Sequence, residues 1–238
     1  MKGTFAKATI LCLLLTAAVW LHAGDITVGT YNGGNCYPLM CNDSGTNTGT
    51  NIDYQQVYAS NQFANTVNIN SITFTYASQF GGSDTLLGGS YTLEWGYASQ
   101  GSVNNLSTNL ASNYISGPNV LGTFTIPAGG ISFGNSYTFN FAPFTYNPAD
   151  GALLIEIIAQ NQDNVPNGSG NSYMEADTTG SVTSRAYCLE NVGCFADSTG
   201  LVTTFGTTNS GTVPEPSTLL MLGSGVASLG LLRRKFKL

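Results

Sequence analysis

Tyr91-Thr92-Leu93-Glu94-Trp95-Gly96-Tyr97 places a large apolar side chain at every second position. Leu153-Leu154-Ile155-Glu156-Ile157-Ile158 is apolar with a single break. Period two puts one face of a strand on a core and the other toward solvent. A continuous apolar run suits a central strand covered on both faces. Comparable short runs recur outward from these two, between Gly, Asn and Pro clusters. They cover 26–31, 54–58, 67–76, 90–98, 122–126, 137–141, 153–159, 182–189 and 201–207. Between the two termini no stretch keeps a helical period. The expectation is an all-β domain, a single antiparallel β-sandwich of jelly-roll type. The apolar set changes faces near Ser71, which predicts a bulge there. Asn147-Pro148-Ala149-Asp150-Gly151 predicts a turn, with φ fixed at proline and left-handed freedom at Asp-Gly. Pro143 and Pro148 bracket an extended approach to it. Polar, Gly- and Asn-rich loops are expected at 41–53 and 160–172.

The two ends read differently. Val213-Pro214-Glu215-Pro216 precedes an uncharged run from Ser217 to Leu232, and Arg233-Arg234-Lys235-Phe236-Lys237-Leu238 closes the chain. The prolines separate the β-domain from the apolar run. A helix of 16 residues spans about 24 Å, slightly short of the ~30 Å hydrocarbon core. The basic end stays cytoplasmic by the positive-inside rule. At the N-terminus, Lys2 and Lys7 precede an apolar stretch from Ala8 to Leu21, and Ala23 offers a small residue for cleavage before Gly24. That is the pattern of a signal peptide. The chain thus divides into a signal helix over 1–23, the β-domain over 24–212, and an anchor tail of transmembrane type over 213–238.

The tail resembles the PEP-CTERM sorting signal of exported bacterial proteins, with Pro214, Glu215, Pro216, Arg233, Arg234 and Lys235 as its motif residues. The resemblance implies an exosortase-type processing enzyme as partner, with cleavage near Pro-Glu-Pro. It also implies transient membrane anchoring through the C-terminal helix. Tyr54-Gln55-Gln56-Val57-Tyr58, Ile72-Thr73-Phe74 and the run from Ala142 to Ile155 look like exported PEP-CTERM proteins of environmental bacteria. That likeness implies a secreted β-sandwich at the cell surface or in an exopolysaccharide matrix.

Composition excludes several chemistries. Between Gly24 and Val213, Arg185 is the one basic residue against twelve acids, a formal charge of −11. Nucleic acid needs clustered Lys and Arg, so it is not a partner. The one histidine, His22, lies in the signal segment, which removes His-based triads and His-ligated zinc. Cys12 leaves with that segment too. Cys36, Cys41, Cys188 and Cys194 remain, an even number in an oxidising compartment. Three pairings are open to them, and the short spacings favour Cys36–Cys41 and Cys188–Cys194 over cross-pairing. Neither spacing suits a metal, and no cofactor is implied.

Glu94 and Glu156 lie inside expected strands, where acids are unusual. As a facing pair they would be a glycosidase's two carboxyls. Otherwise each is an outward charge, or the partner that a buried Arg185 requires. Arg185 could instead clamp a ligand carboxylate or sugar hydroxyls. Calcium would need oxygen-rich loops; Asp43, Asn47 and Asp53, Asp163 and Asn164, and Glu175 and Asp177 are the candidates, none with EF-hand spacing. Polysaccharide binding suits the composition, with Tyr91, Trp95 and Arg185 as candidate ligand contacts, although aromatics at strand spacing serve the core first. The expectation is a non-enzymatic exported surface or matrix protein without metal or cofactor. Its rivals are a secreted glycoside hydrolase using Glu94 and Glu156, and a calcium-dependent adhesin.

Overall fold

The chain is seen here as a computed structural model that describes residues 24–41, 50–163 and 172–208. The strands are β1 (Ile26–Val28), β2 (Gly33–Asn35), β3 (Thr50–Tyr58), β4 (Val67–Thr75), β5 (Thr85–Leu86), β6 (Gly89–Ala98), β7 (Ser116–Ile126), β8 (Ile131–Ser132), β9 (Ser136–Tyr146), β10 (Ala152–Gln162), β11 (Met174–Asp177), β12 (Thr183–Leu189), β13 (Gly193–Asp197), β14 (Gly200–Leu201) and β15 (Thr203–Thr208). They form a six-stranded sheet in the order β13-β12-β3-β10-β6-β7 and a four-stranded sheet β1-β15-β4-β9. A three-stranded sheet β14-β11-β2 and the pair β5-β8 complete the set. All pairings are antiparallel. The domain is all-β, with helical structure among the described residues confined to three short 3₁₀ turns.

β10 is central, with β3 on one side and β6 on the other, and Ala152 to Ile157 are all buried. One face of the six-stranded sheet carries Tyr54 and Tyr58 from β3, Leu153, Ile155 and Ile157 from β10, and Tyr91 and Leu93 from β6. These share a hydrophobic cluster with Val28, Ile69, Ile72, Phe74, Phe139 and Phe205 of the four-stranded sheet. Edge-to-face and stacked rings join the sheets: Tyr58 to Phe205 at 4.9 Å and Trp95 to Phe144 at 4.2 Å between centroids. The opposite face of the six-stranded sheet holds a second, smaller cluster.

The bulge expected near Ser71 is present, as a register shift between Ile69 and Ser71 against β9. β15 shifts opposite it, between Gly206 and Thr207. The Asn147–Gly151 turn closes with Asp150 N–H donating to the Asn147 carbonyl, 3.1 Å, and the Asn147 amide donating to Asp150 Oδ2, 3.0 Å. Gly151 has φ of 152°, and a Cβ there would lie 2.6 Å from the Ala98 carbonyl oxygen, so only glycine fits. The two long loops are shorter than the sequence suggests. Thr50 to Asp53 belong to β3, and Gln160 to Gln162 extend β10. Residues 42–49 and 164–171 lie outside the described residues, as do the expected signal segment over 1–23 and the whole tail. The helix expected over 217–232 therefore lies outside them too. Among the described residues no helix is long and apolar enough to cross a membrane.

Candidate functional site: an acidic groove on the outer sheet face

Strand parity sorts the six-stranded sheet into two chemistries. Odd positions of β3 (Asp53, Gln55, Val57) and even positions of β10 and β6 (Leu154, Glu156; Glu94, Gly96) point away from the aromatic core. Glu156 stands directly opposite Glu94 on one side and Gln55 on the other. Opposed residues in an antiparallel pair share a face with Cβ atoms about 4.5–5.5 Å apart. Asp53, two residues before Gln55, joins them diagonally. Three carboxyls from three adjacent strands therefore meet on one face. Sequence alone marked Glu94 and Glu156 and placed Asp53 among loop oxygens instead. Only the β3–β10 register, Glu156 with Gln55 and Ile158 with Asp53, brings it here.

A strap running from Ser99 to Ile115 lies over this face. Its leucines Leu106 and Leu110 pack on Val57, Ala98, Ala152, Leu154 and Ala186. Buried Gln55 ties it down, donating from Nε2 to the Leu110 carbonyl at 3.1 Å and accepting from the Asn113 amide at 2.8 Å. The far end is held by Ser184 Oγ, which accepts from Asn104 N–H at 3.1 Å. Tyr114 descends into the space that Gly96 leaves: a Cβ at position 96 would meet the Tyr114 ring at 2.6 Å. Its hydroxyl donates to Glu156 Oε2 at 2.6 Å.

Beside Tyr114 is a groove of about 320 Å³ floored by Asp53 and Glu156 and walled by Leu110, Ile115 and Pro118. Glu156 is 6% exposed. Asp53 is partly buried, and its Oδ1 has no hydrogen-bond partner. Burial first, and then the neighbouring carboxyls of Glu156 and Glu94, raise the Asp53 carboxyl to about 8. Glu94 is also raised, by burial and then by Glu156. Burial and the Glu156 charge push the Tyr114 hydroxyl far above its ordinary range, so it acts as a fixed donor. The arrangement can hold a proton between carboxyls and offer acceptors to a donor-rich ligand.

Arg185 takes no part in this site. The expected partners were Glu156 or Glu94, but the structure pairs Arg185 with Asp197. Nε and Nη2 donate to the two Asp197 oxygens at 2.9 Å each. Nη1 donates to Asn35, and the guanidinium lies 4.7 Å over the Tyr187 ring. Parity explains the correction. Arg185 is in register with Gln56, on the core-facing side, whereas Glu156 is in register with Gln55. Tyr91 is fully buried with its hydroxyl donating to the Leu87 carbonyl, so it has no free face for a ligand. Trp95 is partly buried and stacked on Phe144. The cysteines pair locally, as Cys36–Cys41 and Cys188–Cys194.

The loop acids that a calcium site would need are largely engaged elsewhere. Asp177 accepts from Thr30 N–H and from Thr179 N–H and hydroxyl. Burial opposes its ionisation, but those bonds prevail and lower it. Asp163 accepts from Gly129 N–H at 2.6 Å. Asp43, Asn47 and Asn164 lie outside the described residues. Among the described residues no three His, Cys, Asp or Glu side chains stand as a metal-holding group.

No curated protein and no solved structure matches the chain. The family model for the PEP-CTERM protein-sorting motif matches residues 212–235. The chain carries a PEP-CTERM sorting motif. The match spans Pro214-Glu215-Pro216, the uncharged run and Arg233-Arg234-Lys235, the three parts in the order the sequence shows them. A PEP-CTERM protein is exported, associated with the cell envelope and routed through an exosortase, and the β-rich domain ahead of the tail is consistent with that.

Proposed function

We propose that this PEP-CTERM protein presents a non-enzymatic β-sandwich at the cell surface or in the extracellular matrix, where the domain binds neutral polysaccharide. The observation that carries the reading is the sorting motif over 212–235. The sandwich is supported by the cluster shared between the six- and four-stranded sheets. Polysaccharide binding is supported by exposed rings. Phe80 is 46% exposed beside Tyr31 and Tyr173, and Phe195 is 42% exposed beside Tyr187. A domain with this much negative charge repels polyanions, which favours a neutral glycan. The tail should be a membrane helix from Ser217 to Leu232, and the signal segment should be removed near Ala23.

Replacing Pro214-Glu215-Pro216 by three alanines should leave membrane insertion intact and block processing. Uncut precursor then accumulates in the membrane fraction on an immunoblot. Normal maturation of that variant would reduce the tail to a plain anchor and remove the basis of the reading.

One observation favours the hydrolase alternative: Glu94 and Glu156 share a face and oppose each other. Against it, Glu156 is covered by the strap and bonded to Tyr114, and Glu94 does not line the groove. Turnover of aryl glycosides by the wild type, lost in Glu156→Gln, would establish the hydrolase.

A further inference from the structure

The two exposed aromatic patches differ in build. Phe80 meets Tyr31 and Tyr173 at interplanar angles of 70° and 57°, so those rings share no common face. Tyr37, Tyr187 and Phe195 instead form a row, with successive rings inclined by only 27° and 33° and centroids 5.1 and 5.5 Å apart. Phe195 stands opposite Tyr187 in the β12–β13 register, and Asp197 stands opposite Arg185. All four therefore share one face of the sheet. Among the described residues no strand pairs with β13 on its outer side, and Phe195, at the end of the row, is 42% exposed. The Cys188–Cys194 bond staples the hairpin beneath it. Asp197 is held as firmly as the ring. Arg185 donates to both its oxygens, and Thr199 N–H donates to Oδ1 at 2.8 Å. A carboxylate has about four acceptor sites, so Oδ2, with one of these bonds, has room for another donor. The Asp197 side chain is 39% exposed. Two residues along a strand set it about 6.8 Å from Phe195.

We propose that Phe195 and Asp197 form the subsite for one neutral hexopyranose unit, a placement that rests on the domain binding neutral polysaccharide at all. The C–H face of the sugar lies on the Phe195 ring, whose face is electron-rich. A hydroxyl of the same unit donates to Asp197 Oδ2. The surroundings select against other ligands. Arg185 is the lone basic residue between Gly24 and Val213, and it neutralises this carboxylate, so a cation finds no free charge to pair with. A polyanion is repelled by the acids that remain. A purely apolar partner would strip water from Asp197 without replacing its bond. A sugar alternates C–H and O–H groups and satisfies ring and carboxylate together. Arg185 and Tyr187 are positioning residues here. The first fixes the plane of the carboxylate and the second backs the ring, so little ordering is left to the moment of binding.

Affinity electrophoresis of the full chain in detergent micelles tests this, with dextran, mannan or galactan cast in the gel. At least one of these neutral polymers should retard the wild type. Phe195→Ala should weaken that binding roughly tenfold, the scale of one lost ring contact, with the unfolding midpoint little changed because the ring is exposed. Phe195→Trp, which keeps an aromatic face, should bind as the wild type does. Asp197→Asn should weaken binding several-fold, and Phe80→Ala should leave it unchanged. If the wild type is retarded by none of the three polymers, the polysaccharide reading fails and the subsite with it. If the wild type binds and Phe195→Ala or Asp197→Asn binds equally well, the subsite is overturned while the polysaccharide reading stands. Loss of binding in Phe80→Ala in place of Phe195→Ala overturns it too, by moving the contact to the other patch.

Discussion

The two faces of β10 are built from alternate residues of one strand yet obey different rules. Leu153, Ile155 and Ile157 enter the aromatic core between the two larger sheets, where most neighbours are apolar and stability comes chiefly from area removed from water. Leu154 and Glu156 turn the other way, under the strap, where stability depends on polar partners. There Gln55 must meet Leu110 and Asn113, and Glu156 must meet Tyr114. The first face tolerates imprecision and is costly only to empty. The second is worth little when complete and costly when one partner is missing.

The sharpest test of that contrast is to empty the first face. Ile155→Ala should cost about 2–5 kcal/mol by the large-to-small rule, read as a lower midpoint in urea unfolding. A loss near zero would mean that the six- and four-stranded sheets do not share a packed core. Next in size is a single break on the second face. Gln55→Leu keeps the volume but leaves the Leu110 carbonyl and the Asn113 amide without their partner, at about 1–3 kcal/mol. Exchange should rise in peptides over 106–113 before any other segment. If the loss is spread evenly over the domain, the strap is not a separate cooperative unit.

The smallest effect concerns pH. Asp53 holds its proton up to about 8 in the folded chain, against an ordinary 3.8. The folded state therefore binds more protons than the unfolded one between those values, and stability from this group falls as pH rises through them. Its contribution is complete below about pH 4 and gone above about pH 8. Asp177 works in the opposite sense. Its lowered carboxyl supports the fold above the ordinary carboxyl range and loses that support on acidification. Asp53→Asn should stabilise the chain at pH 9 by on the order of 1 kcal/mol, allowing for the solvent that still reaches the side chain, and should flatten the decline from pH 5 to pH 9 in urea midpoints. An unchanged slope would place the titrating group elsewhere.

The sequence carried the core side of this comparison well and the other side poorly. Short alternating or β-branched runs revealed β4, β6, β9, β12 and β15, because burying one face favours alternation, and a continuous apolar run revealed β10. The bulge at Ser71 was visible as a switch of that alternation. β2 was not legible: Gly33-Gly34-Asn35 has no strand preference and forms only because β11 offers an edge. β11 itself reads Met174-Glu175-Ala176-Asp177, residues that favour a helix or a loop over a strand. β13 is exposed at every position and is held by its hairpin with β12 and the Cys188–Cys194 bond. The acidic groove escaped for a different reason. Glu94 and Glu156 stood out as acids within strands, but their adjacency and the arrival of Asp53 depend on register between distant segments. Arg185 was assigned the wrong carboxylates for the same reason. Choosing its partner requires knowing which face each strand residue takes, and a one-residue step reverses that choice.

Arg185 has one more consequence. It is the lone basic residue between Gly24 and Val213, its side chain is 11% exposed, and its backbone is laced between β3 and β13. A protease that cuts after lysine or arginine must draw an extended segment into its cleft, and here the single scissile bond sits inside a hydrogen-bonded strand. The folded domain thus gives trypsin-like enzymes nothing to cut, while Arg233, Arg234, Lys235 and Lys237 crowd their targets into the tail beyond the Pro-Glu-Pro.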